Sequence, residues 1–114
     1  MSAPIIERHQ LLNAALGSRN VTNVDIRRIT LGPGQKSGRH LHPCSVVGYI
    51  ASGTAFYQIE GEAAELLPVG SAFHEPAGRV IADFGNASDT TPMTFIAFYL
   101  LDGDQELITM LDKE

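Results

Sequence analysis

His40 and His42 are separated by one residue, Leu41, and that spacing is the first feature of the sequence able to carry chemistry. On an extended strand, alternate side chains share a face. The two imidazoles therefore point the same way and can converge on one metal ion. Two protein ligands alone hold a metal weakly, since structural zinc takes four and catalytic zinc three. Candidates to complete the shell are His74 and Glu75, just before Pro76-Ala77-Gly78, and Asp83 beyond it. His74 and Glu75 are sequence neighbours, so on a strand they face opposite ways and at most one reaches the histidines. Glu75 is the sharper candidate. Two histidines plus one carboxylate make the facial triad of non-haem iron sites, with positions left open for substrate or oxygen. The other outcome is a site without metal, in which His40 and His42 are polar anchors for a small ligand in an apolar pocket.

The remaining reactive residues have plainer readings. His9 falls within the short helix or turn expected near the N-terminus and is expected to be solvated. Cys44 follows a His-Pro turn, and a lone small cysteine is expected to serve packing. Gln58 alternates with Phe56 and is a candidate pocket-lining residue or an outward one. The sequence has no G-x-S-x-G nucleophile elbow and no phosphate-cradling glycine loop.

Most elements that must position these residues read as short strands. Val24 to Leu31, Ser45 to Ile50, Thr54 to Glu60, Ala64 to Leu67, Ala72 to Glu75 and Arg79 to Phe84 are β-prone runs. Between them fall Gly32-Pro33-Gly34, Ser52-Gly53, Gly61-Glu62, Pro68-Val69-Gly70 and Pro76-Ala77-Gly78. Turn signals at this rhythm are the mark of an all-β sandwich or barrel. Met93 to Leu101 is the longest apolar run and reads as a buried strand, and Glu106 to Leu111 as a last strand or a helical turn. Ahead of the strands, Ile5, Leu12, Ala15 and Leu16 are followed by Gly17, which reads as one short N-terminal helix or turn.

A wider pattern surrounds the histidines. Gly34 is followed after five residues by His40-x-His42, after three more by Val46 and after six more by Gly53. This resembles the first motif of the cupin family, which has a glutamate where Val46 stands. Gly70, then five residues, Pro76-Ala77-Gly78, two residues and Ile81 resembles the second motif. That motif has a histidine where Ile81 stands and an asparagine just beyond, here Asn86, one position late. The resemblance implies an all-β double-stranded β-helix, or jelly-roll barrel, with a core at about residues 24–101. It also implies one domain over 1–114, with residues 1–23 as an N-terminal helix or arm and 102–114 as a C-terminal segment. Of the family's metal shell of three histidines and a glutamate, His40 and His42 match. Val46 and Ile81 are aliphatic, cannot ligate, and are expected to line the pocket.

The same resemblance implies a small-molecule ligand and one divalent ion (Fe, Mn, Ni or Zn). The protein is then a dioxygenase, isomerase or lyase, or else a metal-free binding or sensing module. The family also implies a homodimer. Composition narrows the partners. Eight Lys+Arg against 13 Asp+Glu give a formal net charge of −5. No basic stripe exists to neutralise phosphates, which argues against nucleic acid and against an anionic membrane surface. The longest apolar run is too short to span a bilayer. With one cysteine and no signal-peptide pattern, the expected location is cytoplasmic.

Overall fold

A computed structural model describes residues 4–112. Among them the strands run β1 (Asn23–Leu31), β2 (His40–Leu41), β3 (Ser45–Ser52), β4 (Ala55–Ile59), β5 (Glu65–Leu67), β6 (Ala72–Glu75), β7 (Ile81–Asn86), β8 (Met93–Leu101) and β9 (Thr109–Met110). They form two antiparallel sheets, β1-β8-β3-β6 and β5-β4-β7-β2-β9. Consecutive strands repeatedly change sheet, which is the double-stranded β-helix arrangement. The longest ladder pairs β1 with β8 from Asn23↔Leu101 to Leu31↔Met93 without a shift.

The core lies between the sheets and follows strand alternation. On β8, Met93, Phe95, Ala97, Tyr99 and Leu101 are buried, while Thr94, Ile96, Phe98 and Leu100 are half-buried on the other face. The long apolar run is therefore buried on one face only. Phe73, Phe84 and Phe95 form a mutually touching trio, with ring centroids 5.0, 4.7 and 5.9 Å apart. Gly48 on β3 leaves room for it, since a Cβ there would stand 1.9 Å from the Ile96 carbonyl oxygen and 2.8 Å from the Phe73 ring. Two motif glycines are fixed by the backbone. Gly53 (φ 77°) turns β3 into β4, and Gly78 (φ 76°) donates its N–H to the His42 carbonyl at 2.9 Å. Both φ values are ones that L side chains rarely adopt.

Of the helix, turn or arm expected at the N-terminus, the helix is not formed and the segment is an arm. Residues 4–16 carry no secondary structure and no backbone–backbone hydrogen bond, and the chain first bends at Ser18, after Gly17 (φ 72°). Isolated helices of this length are marginal unless one apolar face is packed down. Here Ile5, Ile6, Leu11 and Leu12 are all exposed, spread around any helical projection rather than gathered on one stripe. Residues Gln10 to Leu16 of this arm lie over the outer face of the β1-β8-β3-β6 sheet. A cavity of about 410 Å³ separates its residues Leu11, Leu12 and Leu16 from Val47, Tyr49 and Phe98. The segment 106–111 resolves as the two-residue strand β9, not a helical turn. Among the described residues, no helix is long and apolar enough to cross a membrane.

Candidate metal centre

His40 lies on β2 and His42 one residue past its end, yet the side chains stay on one side, with ring centroids 5.0 Å apart. Both are buried, at 2% and 4% exposure. β6 brings Glu75 to them from the other sheet. Its Oε2 lies 3.1 Å from His40 Nε2 and 2.8 Å from His42 Nε2, and the residue is 3% exposed. Ligand atoms of the three residues all fall within 4.8 Å of one another, and the group could hold a metal ion.

Strand register accounts for the carboxylate. Val46 stands where the first motif has its glutamate, and Val46 pairs directly with Glu75 across β3 and β6. A carboxylate thus stands at the opposite position on the neighbouring strand. Ile81, at the second motif's histidine position, pairs directly with His40. Val46 and Ile81 are each 1% exposed, so both harden the apolar surround of the cluster.

The proton inventory is informative. His40 Nδ1 lies 2.7 Å from the Gly38 carbonyl, and His42 Nδ1 lies 2.6 Å from the Leu107 carbonyl. A carbonyl only accepts, so each Nδ1 carries the hydrogen. A neutral imidazole then has a bare Nε2, and both bare nitrogens aim at an ionisable carboxylate oxygen. Three acceptors facing one another require protons or a cation between them. Orienting a ligand histidine through its other ring nitrogen is how proteins prepare metal sites. Metal bonds of about 2.0–2.2 Å place neighbouring ligand atoms about 3 Å apart, and the two Nε2–Oε2 separations here, 3.1 and 2.8 Å, are of that size.

Electrostatics agree with protons filling the gap when no cation does. Burial pushes the Glu75 carboxyl up, but the bonds to His40 and His42 outweigh it and hold its pKa below the ordinary value. Burial likewise opposes the charged form of His40. The bonds to Glu75 and to the Gly38 carbonyl prevail, and its pKa is raised.

The other sequence candidates fall elsewhere. His74 faces away from Glu75, on the outer side of β6, where burial lowers its pKa and its Nε2 has no hydrogen-bond partner. Asp83 approaches Gly38 N at 3.2 Å and Ser37 Oγ at 3.4 Å, so it braces the turn that delivers His40 rather than joining the cluster. Gln58 lies on the face opposite the buried Tyr57 and donates to the Glu62 carbonyl at 2.9 Å in an exposed contact, which removes it from the pocket-lining set. Its sequence alternation with Phe56 was compatible with either face, and the inward position went to Tyr57. His9 is exposed beside Glu7. Cys44 is buried, and that burial raises its thiol pKa.

Two contributors were not identifiable from motif spacing. Tyr99 sits edge-on to His42 at 5.8 Å, and burial followed by the Glu75 charge pushes its hydroxyl up to about 12. Its inward position on β8 is the signal that alternation offered. Leu107 contributes a main-chain carbonyl, for which side-chain identity gives no sign.

The family model described as "Cupin domain" matches residues 27–108. No curated protein matches the chain. Among solved structures, the chain is similar to a cupin-like protein from Thermotoga maritima MSB8 (TM-score 0.68, 22% identity, 78% of this chain and 65% of that one). It is also similar to the DMSP lyase DddQ from Ruegeria pomeroyi DSS-3 (TM-score 0.66, 17% identity, 76% and 42%). A third is an oxalate oxidase in complex with the substrate analogue glycolate (TM-score 0.61, 21% identity, 77% and 46%). The chain thus spans 65% of the first and less than half of the other two. At these identities the likeness is one of fold.

Proposed function

The chain belongs to the cupin domain family, and on that premise we propose that it binds one divalent transition-metal ion through His40, His42 and Glu75 and acts on a small organic molecule. The observation that carries this reading is the pair of Nδ1–carbonyl bonds, which leave both Nε2 lone pairs facing the Glu75 carboxylate. Two histidines and one carboxylate suit Fe(II) foremost, with Mn, Ni and Zn as the other occupants of such donor sets. A bound ion supplies Lewis acidity and open coordination positions for a substrate's oxygen atoms. The chain's own groups orient the ion and keep water sparse. Gly38 and Leu107 fix the two rings, Val46 and Ile81 wall the cluster, and Tyr99 remains a protonated hydroxyl beside His42. A dioxygenase, isomerase or lyase reaction on a small acid or alcohol fits such a centre, and a cytoplasmic setting fits the single free cysteine.

Elemental analysis of untagged protein is the test, with the His40→Ala/His42→Ala double variant as control. About one equivalent of metal in the wild type and none in the variant is the expected result. Protein that stays metal-free after reconstitution overturns the reading. The alternative, a metal-free barrel that binds or senses a small ligand, is favoured by one observation: two of the family's four ligand positions hold Val46 and Ile81. A ligand-dependent rise in Tm without metal would support it.

We also infer that the chain works as a homodimer. Supporting this are the exposed Val24 (49%) and Ile26 (60%) on the edge strand β1, together with Ile5 (88%) and Ile6 (72%) on the arm. Sedimentation over a range of concentrations tests it, and a monomer throughout would refute it.

A further inference from the structure

The C-terminal segment crosses the barrel end directly over the histidines. β9 pairs with β2 at His40↔Met110 and Leu41↔Thr109. Leu111 N donates to the Arg39 carbonyl at 3.0 Å, Arg39 Nη1 donates to the Asp112 carbonyl at 3.0 Å, and Leu107 packs its side chain against the core. Between these fastenings the Leu107 carbonyl meets His42 Nδ1 at 2.6 Å. The two histidines are therefore held by different parts of the chain. Gly38, two residues away, holds His40, whereas His42 depends on a strap 65 residues further along the sequence.

This matters because the proton of His42 has two competing acceptors. With the hydrogen on Nδ1 the ring serves Leu107 and offers a bare Nε2 towards Glu75. With the hydrogen on Nε2 the ring donates to Glu75 Oε2, 2.8 Å away, and no lone pair remains for a cation. The charged carboxylate is by itself the stronger acceptor, so the ring stays ligand-ready only while the strap is seated.

We propose that the C-terminal strap, through the Leu107 carbonyl, is the positioning element that selects the Nδ1–H form of His42 and thereby retains the metal. This rests on the metal-binding reading above, and it makes cation retention depend on Met110, Leu111 and Asp112, which lie beyond the residues matched by the family model.

The test uses full-length protein labelled with 15N-histidine. Leu107→Ala loosens the strap at its buried anchor. Arg39→Ala loosens it independently at its far end, and Leu107→Met is the conservative rescue. Metal-free samples are read by NMR for whether Nδ1 of each ring bears hydrogen, and zinc-loaded samples for the rate of zinc loss to excess chelator. In the wild type both rings are expected to keep a hydrogen on Nδ1. In both loosened variants His42 shifts towards Nε2–H while His40 does not, zinc leaves about tenfold faster, in line with loss of an outer-shell partner, and Leu107→Met restores both readouts. The proposal is overturned if His42 keeps its form in both variants, if the two rings change together, or if His42 changes while zinc loss does not. Wild-type protein that holds no zinc while His42 alone responds to the strap would defeat the metal reading and leave the positioning role standing.

Discussion

Two regions of the molecule treat their side chains in opposite ways. At the barrel end, His40, His42 and Glu75 are buried and each makes specific hydrogen bonds. Along the arm, Ile5, Ile6 and Leu11 are 88%, 72% and 65% exposed, with no backbone hydrogen bond to fix them. One region has polar groups enclosed by an apolar wall, and the other has apolar groups with little to cover them. Buried polar groups must be matched atom by atom, so single residues there have large effects. An extended arm on a single chain gains little from any one of its contacts.

The largest effect is expected inside the barrel. Gly48→Ala would place a Cβ 1.9 Å from the Ile96 carbonyl oxygen. That clash is with backbone in the middle of the β3–β8 ladder, so the sheet must shift to admit it. Overpacking commonly costs about 1–3 kcal/mol and occasionally more; the upper end or beyond is expected, measured by chemical denaturation. A stability unchanged within error would mean the sheet is far more pliable here than its register implies.

Next comes Glu75→Gln, which keeps the side-chain shape and removes the charge. Loss of an outer-shell partner typically costs 10–100-fold in metal affinity, so loss of this carboxylate should cost at least about a hundredfold, read by competition with a chelating dye. Equal affinity in the variant would remove Glu75 from the ligand set and leave two histidines without a third partner.

The contrast between the regions also explains how much was legible beforehand. Turn glycines and prolines, together with alternation, were enough for the strands; Ala72 to Glu75 and Met93 to Leu101 match β6 and β8. The histidine pair was legible from its i, i+2 spacing. That Glu75 rather than His74 joins the pair depends on which face of β6 turns inward, a property of register across sheets that one strand does not encode. The Leu107 carbonyl was invisible because any residue has one. At the N-terminus, helix, turn and arm stay open in the sequence because spacing alone cannot say whether a partner surface exists to stabilise a helix.

A smaller effect is expected from pH in the metal-free protein. Glu75 has a lowered pKa, so its contribution to stability is present above the ordinary value of 4.5 and is lost as pH falls below it. His40 has a raised pKa, so its contribution is complete below 6.5 and is lost as pH rises through the elevated value. Both are present in full between 4.5 and 6.5, and the Tm of metal-free protein should be highest there. Metal-loaded protein should instead gain Tm at higher pH, because the ion competes with protons for the same ligands. Parallel pH profiles for the two forms would mean that the ion, if bound, is not bound at this cluster.

The smallest effect is expected on the arm, and its dependence on concentration is what sharpens the comparison. Ile6 is 72% exposed, and a surface substitution of this kind usually changes stability by no more than about 0.5 kcal/mol. Ile6→Ala should therefore leave the denaturation midpoint of dilute protein almost unchanged. If a second copy covers the arm, stability becomes linked to protein concentration, and the same variant should lower the midpoint only in concentrated samples. A loss that is equally large at every concentration would break the contrast, because the arm would then be part of the fold of each single chain. A loss confined to high concentration would keep it, and would identify the exposed isoleucines as the half of an interface that one copy cannot bury alone.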